Sequence, residues 1–127
     1  MIPILLAAAL AAPTTIAEMR WQKRILLISA PRADDPAVIA QRRGLAGWDA
    51  GARERDLAIV SVFGDRVEGA TDSAEGLRRR FGLPAGRFIA ILIGKDGGEK
   101  MRSATPIGVE MLAETIDAMP MRRAGRR

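Results

Sequence analysis

Three short, almost uninterrupted apolar runs constrain this chain more than any other feature: Arg24 to Ala30 (RILLISA), Asp56 to Phe63 (DLAIVSVF) and Arg87 to Gly94 (RFIAILIG). They are too brief for core helices and rich in Ile, Leu and Val, so each reads as a strand. A strand with one wet face alternates apolar and polar residues; these do not, so both of their faces are covered. Three such strands need helices on two sides, which fixes an α/β class.

The intervening segments supply the covers. Asp34 and Asp35 precede Pro36, a cap and first-turn arrangement for a helix whose Val38, Leu45 and Trp48 share one face at i, i+7 and i+10. Gly44, Gly47 and Gly51 weaken its later part, favouring three turns over four. After the second run, Asp72 or Ser73 caps a short helix in which Leu77 and Phe81 pair at i, i+4, with Arg78, Arg79 and Arg80 on its solvated side and Gly82 and Pro84 closing it. Lys95-Asp96-Gly97-Gly98 predicts a hairpin into a polar edge strand, Glu99 to Ser103. Thr105 and Pro106 then open a last helix with Val109, Leu112, Ile116 and Met119 inward, and Pro120 ends it. The order is β-α-β-α-β-β-α: a parallel βαβ unit joined to an antiparallel ββα unit in a three-layer sandwich with a mixed sheet.

That order is the core of the thioredoxin-like fold. Phe88 to Gly97 (FIAILIGKDG), Lys100 and the string Ile116-Asp117-Ala118-Met119-Pro120-Met121-Arg122-Arg123 make the likeness more specific, together with Trp21, Arg24, Ala30-Pro31 and Arg55-Asp56-Leu57. On these residues the chain resembles the bacterial family called domain of unknown function 4174, from about Trp21 to Arg123. The resemblance implies a thioredoxin-like fold related to a peroxiredoxin-derived domain of eukaryotic extracellular matrix proteins, and it carries no reaction with it. Redox relatives place a Cys in the loop after the first strand, here Pro31-Arg32-Ala33-Asp34-Asp35-Pro36, and a cis-Pro directly before the third, here Arg87-Phe88.

The chain has no Cys, no His and no Tyr. Thiol redox chemistry, Ser-His or Cys-His nucleophilic catalysis and His- or Cys-ligated zinc all need a group it lacks. Thiol oxidoreductase and peroxidase activities are thereby excluded, and Asp, Glu and Lys remain as proton-transfer groups. No cofactor motif is present. Gly94-Lys95 has neither the Gly-rich loop nor the Ser or Thr of a phosphate loop, and Asp96 to Glu99 lacks the ligand spacing of a calcium loop.

Export is the second expectation. The first 17 residues, MIPILLAAALAAPTTIA, carry no charged side chain, and all charged residues lie from Glu18 onward. Read as a signal peptide, 1–17 offers an apolar core, a break at Pro13 and small residues before Glu18, although its start has no Lys or Arg. An uncleaved anchor fits less well, since a span needs about 20 apolar residues and two prolines interrupt this stretch. The folded domain is then 18–123 in the periplasm or outside the cell, followed by a basic tail, 124–127. The net charge of +5 rests largely on Arg122, Arg123, Arg126 and Arg127. With five aromatics in all, no basic stripe with stacking residues exists, so nucleic acid is not an expected partner.

Two candidate sites follow. Ligands of open α/β sheets favour the crevice at the carboxyl ends of parallel strands, where this order collects Arg32, Asp34, Asp35, Asp65 and Arg87. A mixed charged rim of that kind suits a polar ligand or a peptide; as an enzyme it would be a hydrolase with Asp34 or Asp35 as base and Arg32 or Arg87 on the anion. The plainer account is helix-terminal carboxylates paired in solvent. The second site is Met121, Arg122 and Arg123, a docking surface for an acidic partner or an anionic membrane surface, set against a helix stop with an exposed basic end. The leading expectation is an exported, non-redox thioredoxin-like binding or interaction module.

Overall fold

In the computed structural model, which describes residues 14–125, the first apolar run is the centre of the sheet. Strand β1 (Arg24–Ala30) is buried at every position. It pairs in parallel with β2 (Leu57–Phe63), from Arg24 opposite Leu57 to Ala30 opposite Phe63, and antiparallel with β4 (Ile89–Ile93). A three-residue strand β3 (Arg66–Glu68) and the polar β5 (Glu99–Ser103) form the edges, giving the order β3-β2-β1-β4-β5. The expected mixed sheet and three-layer sandwich are thus present. Strand β3 is an addition: Gly64 and Asp65 turn the chain back, and Phe63 pairs with Arg66.

Alternation along the central strands feeds two separate cores. Ile25, Leu27, Val60, Val62, Ile89, Ile91 and Ile93 pack on one face under helix α3 (Ala74–Phe81), which contributes Ala74 and Leu77. Ile16 and Met19 from the 3₁₀ turn Ala17–Met19 and its preceding residue join this core. Leu26, Ile28, Leu57, Ala90 and Leu92 face the other way, beneath helices α1 (Pro36–Leu45) and α4 (Val109–Asp117). No helix among the described residues is long and apolar enough to cross a membrane.

The helices differ from expectation in three places. Gly47, at φ +84°, breaks the first one; Trp48 then caps a separate helix α2 (Asp49–Glu54) and still packs beside Val38 and Leu45. Helix α1 has ten residues, about three turns. The last long helix starts at Val109, not at Thr105, because Ile107 is already engaged: its N–H donates to Gln41 Oε1 at 2.7 Å and its carbonyl accepts from Gln41 Nε2 at 2.8 Å. Helix α4 stops at Asp117, ahead of Pro120 as expected, but Pro120 does not stay outside helical structure. It occupies the first turn of a short helix α5 (Pro120–Arg123), where its missing N–H costs nothing. Arg78, expected in solvent, turns back to donate to the carbonyl of Gly64.

Gln41 is 1% exposed and ties α1 to the loop before α4 through both amide groups. Replacing it by Leu leaves a buried N–H and a buried C=O without partners, at a cost of about 1–3 kcal/mol each. Gln41→Leu is expected to lower stability by about 3 kcal/mol in urea unfolding, with faster hydrogen exchange at Ile107. A change below about 1 kcal/mol would mean that the bridge is dispensable.

Candidate functional site

The sheet has two poles, separated by the length of β1, about 20 Å for seven residues. At the pole of the carboxyl ends of β1 and β2, the charged rim is a solvated surface. Arg32 Nε and Asp34 Oδ1 pair at 3.2 Å with side chains 75% and 77% exposed. Asp35 caps α1, accepting from the Ala37 N–H at 2.9 Å. Asp65 and Arg87 lie exposed on separate loops. None of these three carboxylates is buried.

The opposite pole holds a cavity of about 280 Å³, lined by Trp21, Arg24, Gly94, Lys95, Asp96, Lys100 and Met119 to Met121. It is assembled from the head of β1, the β4–β5 hairpin and the α4–α5 junction. Two of its cations are buried: Arg24 at 1% exposure and Lys95 at 8%. Burial at the head of an apolar strand, followed by the nearby Arg122 charge, holds the Arg24 guanidinium below its ordinary pKa, while Asp56 and Asp117 oppose the shift. Its Nη1 donates to the Arg55 carbonyl at 2.7 Å. Asp56, just before β2, bonds to both residues: its carbonyl accepts the backbone N–H of Arg24 at 2.9 Å and its carboxylate accepts from Lys95 Nζ at 2.9 Å.

The rim is equally defined. Asp96 accepts from the Gly98 N–H at 2.9 Å and from Lys100 Nζ at 3.0 Å, and these bonds, in that order, hold its carboxyl below the usual Asp value. Gly97, at φ +84°, allows the hairpin turn that the Asp-Gly pair predicted. Trp21 stands 57% exposed, its N–H donating to the Lys95 carbonyl at 2.6 Å and its ring under the Arg20 guanidinium at 5.2 Å. Trp21 and Asp56, at φ +71° and +52°, are the non-glycine residues in the left-handed region among those described, and both belong to this pole. Such conformations cost about 1–3 kcal/mol and persist only where the surroundings enforce them.

The Met and Arg string falls partly into this site. Met121 lines the cavity, Arg123 is exposed, and Arg122 is folded back, 17% exposed, onto Glu54 at 2.7 Å and Asp117 at 3.2 Å. Arg55 makes a two-pronged pair with the same Asp117, both contacts at 3.1 Å. This clamp sets α5, with Met119 just before it and Met121 within it, over the cavity. In the sequence Trp21 and Lys100 stand out as matches to a family, Arg24 as the start of a strand and Lys95 as a turn residue, and none of them as a site; the signal for the cations is their place where an apolar run meets a turn. No group of three or more Asp or Glu side chains suited to a metal occurs among the described residues.

Hydrogen bonds from Arg55, then Arg122, hold the Asp117 carboxyl below its ordinary value of 3.8. A depressed folded-state pKa stabilises the fold above the unfolded value and is lost as pH falls through the folded one. Asp117→Asn is therefore expected to lower stability at pH 7 by about 0.5–1 kcal/mol, a modest figure for a half-exposed group. The gap to wild type should close as thermal melts are taken below pH 3.8. A gap independent of pH would contradict the clamp.

The profile of the family described as Domain of unknown function (DUF4174) matches residues 15–125. Among solved structures, thioredoxin peroxidase I of Plasmodium yoelii is similar at TM-score 0.61 and 12% identity, over 88% of this chain and 81% of that one. A cysteine-to-serine mutant of peroxiredoxin 6 of Arenicola marina is similar at TM-score 0.56 and 15% identity, over 80% of this chain and 63% of that one. At such identities the likeness is one of fold, and that fold is thioredoxin-like. The chain belongs to the family described as Domain of unknown function (DUF4174), built on the fold that peroxiredoxins share but without a cysteine.

Proposed function

We propose that this chain is a ligand-binding module without thiol chemistry, and that its binding site is the cavity at the pole opposite the loop where redox relatives carry their cysteine. The observation that carries this reading is convergence. Trp21, Arg24, Asp56, the IGKDG hairpin, Lys100 and the MPM string all meet there, around two buried cations. The first loop, by contrast, offers exposed side chains and a helix cap. Small-molecule sites are concave, apolar for the most part, and hold a few fixed polar groups. This cavity has those three properties, and the predicted charged rim has none of them.

A crystallographic fragment screen tests the reading. Bound fragments are expected to gather among Trp21, Met119 and Met121, and Met121→Trp, which fills the cavity, is expected to abolish them. Fragments gathering instead around Arg32 to Asp35 would move the site to the other pole. The purified protein is expected to reduce neither peroxide nor disulfide above the buffer rate.

We also propose export, supported by the uncharged N-terminal stretch. Residues 1–13 lie outside those described, but 14–17 are within them. The Ile16 side chain is 3% exposed in the core, its N–H donates to Asp72 Oδ1 at 2.9 Å, and the Thr14 carbonyl accepts the Thr71 N–H at 3.0 Å. Cleavage after Ala17 would remove a core residue, so the boundary is proposed to lie before Thr14. N-terminal sequencing of the extracytoplasmic product is expected to begin at or before Thr14; a start at Glu18 would refute the boundary, and retention of the intact chain in the cytoplasm would refute export.

A further inference from the structure

We propose that the cavity takes a single carboxylate carried on an apolar body, with about ten non-hydrogen atoms inside it, judged from a space that equals about nine liquid waters at about 30 Å³ each. This assignment rests on the cavity being the binding site and adds the chemistry of its occupant.

Charge decides the sign. Arg24, Lys95 and Lys100 face the space with Asp96, and Asp56 lies behind Lys95. With Arg20 stacked on Trp21 at the rim, four cations stand against these two acids. An ammonium group would enter beside two buried cations, where the low dielectric magnifies repulsion. An anion entering there offsets the surplus. Arg24 lines the space, and a guanidinium, planar and rich in donors, suits a carboxylate.

Shape decides the rest. The space is smaller than the ~300–1,000 Å³ of sites for drug-sized ligands. Trp21, Met119, Pro120 and Met121 provide an aromatic and thioether wall along it. Methionine adapts to irregular apolar bodies, and a tryptophan ring offers a flat contact. A bare small anion would leave that wall in contact with water, and an uncharged hydrocarbon would leave the cation surplus unbalanced.

Four probes that differ only in the relevant features test this on the full chain, with the methionine methyl and tryptophan indole signals followed by NMR. They are 3-phenylpropionate, its neutral amide, 3-phenylpropylamine and acetate. The acid is expected to shift Trp21, Met119 and Met121 and to bind at least tenfold more tightly than the amide; the amine and acetate are expected to give no saturable shift. Arg24→Met is expected to reduce acid binding at least tenfold and to shrink the preference for acid over amide to less than threefold. If that variant does not fold, Lys100→Gln at the rim is expected to weaken the acid about threefold and to lower the same preference. An amide that binds as tightly as the acid overturns the carboxylate assignment and leaves the cavity as the site. No shift at these residues from any probe overturns both. A fifth probe, an acetylated tripeptide ending in Phe with a free carboxyl, separates the sources: tighter binding than the acid identifies a protein chain end, weaker binding a free metabolite.

Discussion

Strand β1 has no exposed residue, and most of the architecture follows from that. A seven-residue strand of this kind is stable only if neighbours pair both of its edges and helices cover both of its faces. Hence β2 and β4 flank it, and two cores form where one would serve a sheet with a wet side. The same constraint makes the head of the strand unusual. Arg24 opens β1 within the dry interior, so its charge must be met by groups brought from elsewhere in the chain. The Arg55 carbonyl accepts from its guanidinium, and the Asp56 and Asp117 carboxylates favour its charge from nearby. The cavity is a by-product of that arrangement: the chain gathers around a buried cation and leaves a space above it.

The edges of the sheet are managed differently. Strand β3 has three residues, and β5 carries Glu99, Lys100 and Arg102, two features that discourage pairing with another chain. With the edges blunted, the polar chemistry is concentrated at the ends of the strands. Peroxiredoxin-like neighbours share this sheet, yet the first loop here holds only a cap and a surface ion pair. Loss of the thiol need not empty a fold of function, because a two-ended sheet has a second end at which to build a site.

Legibility in the sequence followed the range of the interactions. The three apolar runs gave the strands to within two residues, and Asp-Gly gave the hairpin, since both signals are local. Helix boundaries were harder. The start of α4 depends on Gln41, far away in sequence, and no pattern near Thr105 and Pro106 records it. The split at Gly47 was partly visible as a weakness, but the packing of Trp48 after the break was not. The site was the least legible part. Lys95 reads as a turn residue because Asp56, its partner, precedes a different strand. Arg122 reads as part of a basic tail because Glu54 and Asp117 meet it only in three dimensions. Family-like strings carried the positions of the cavity without revealing that they touch.

The cavity is stitched from residues 21–24, 94–100 and 119–121, so its walls come from both ends of the domain and from a hairpin between them. Contacts of such wide sequence separation carry the largest loop-closure cost and tend to form late. The sheet pairs and the α3 core need none of residues 119–121. A chain emerging from synthesis, or crossing a membrane before it folds, would therefore acquire its body first and its pocket last, when the C-terminal turn closes over Arg24. The finished cavity is in that sense a certificate of completed folding.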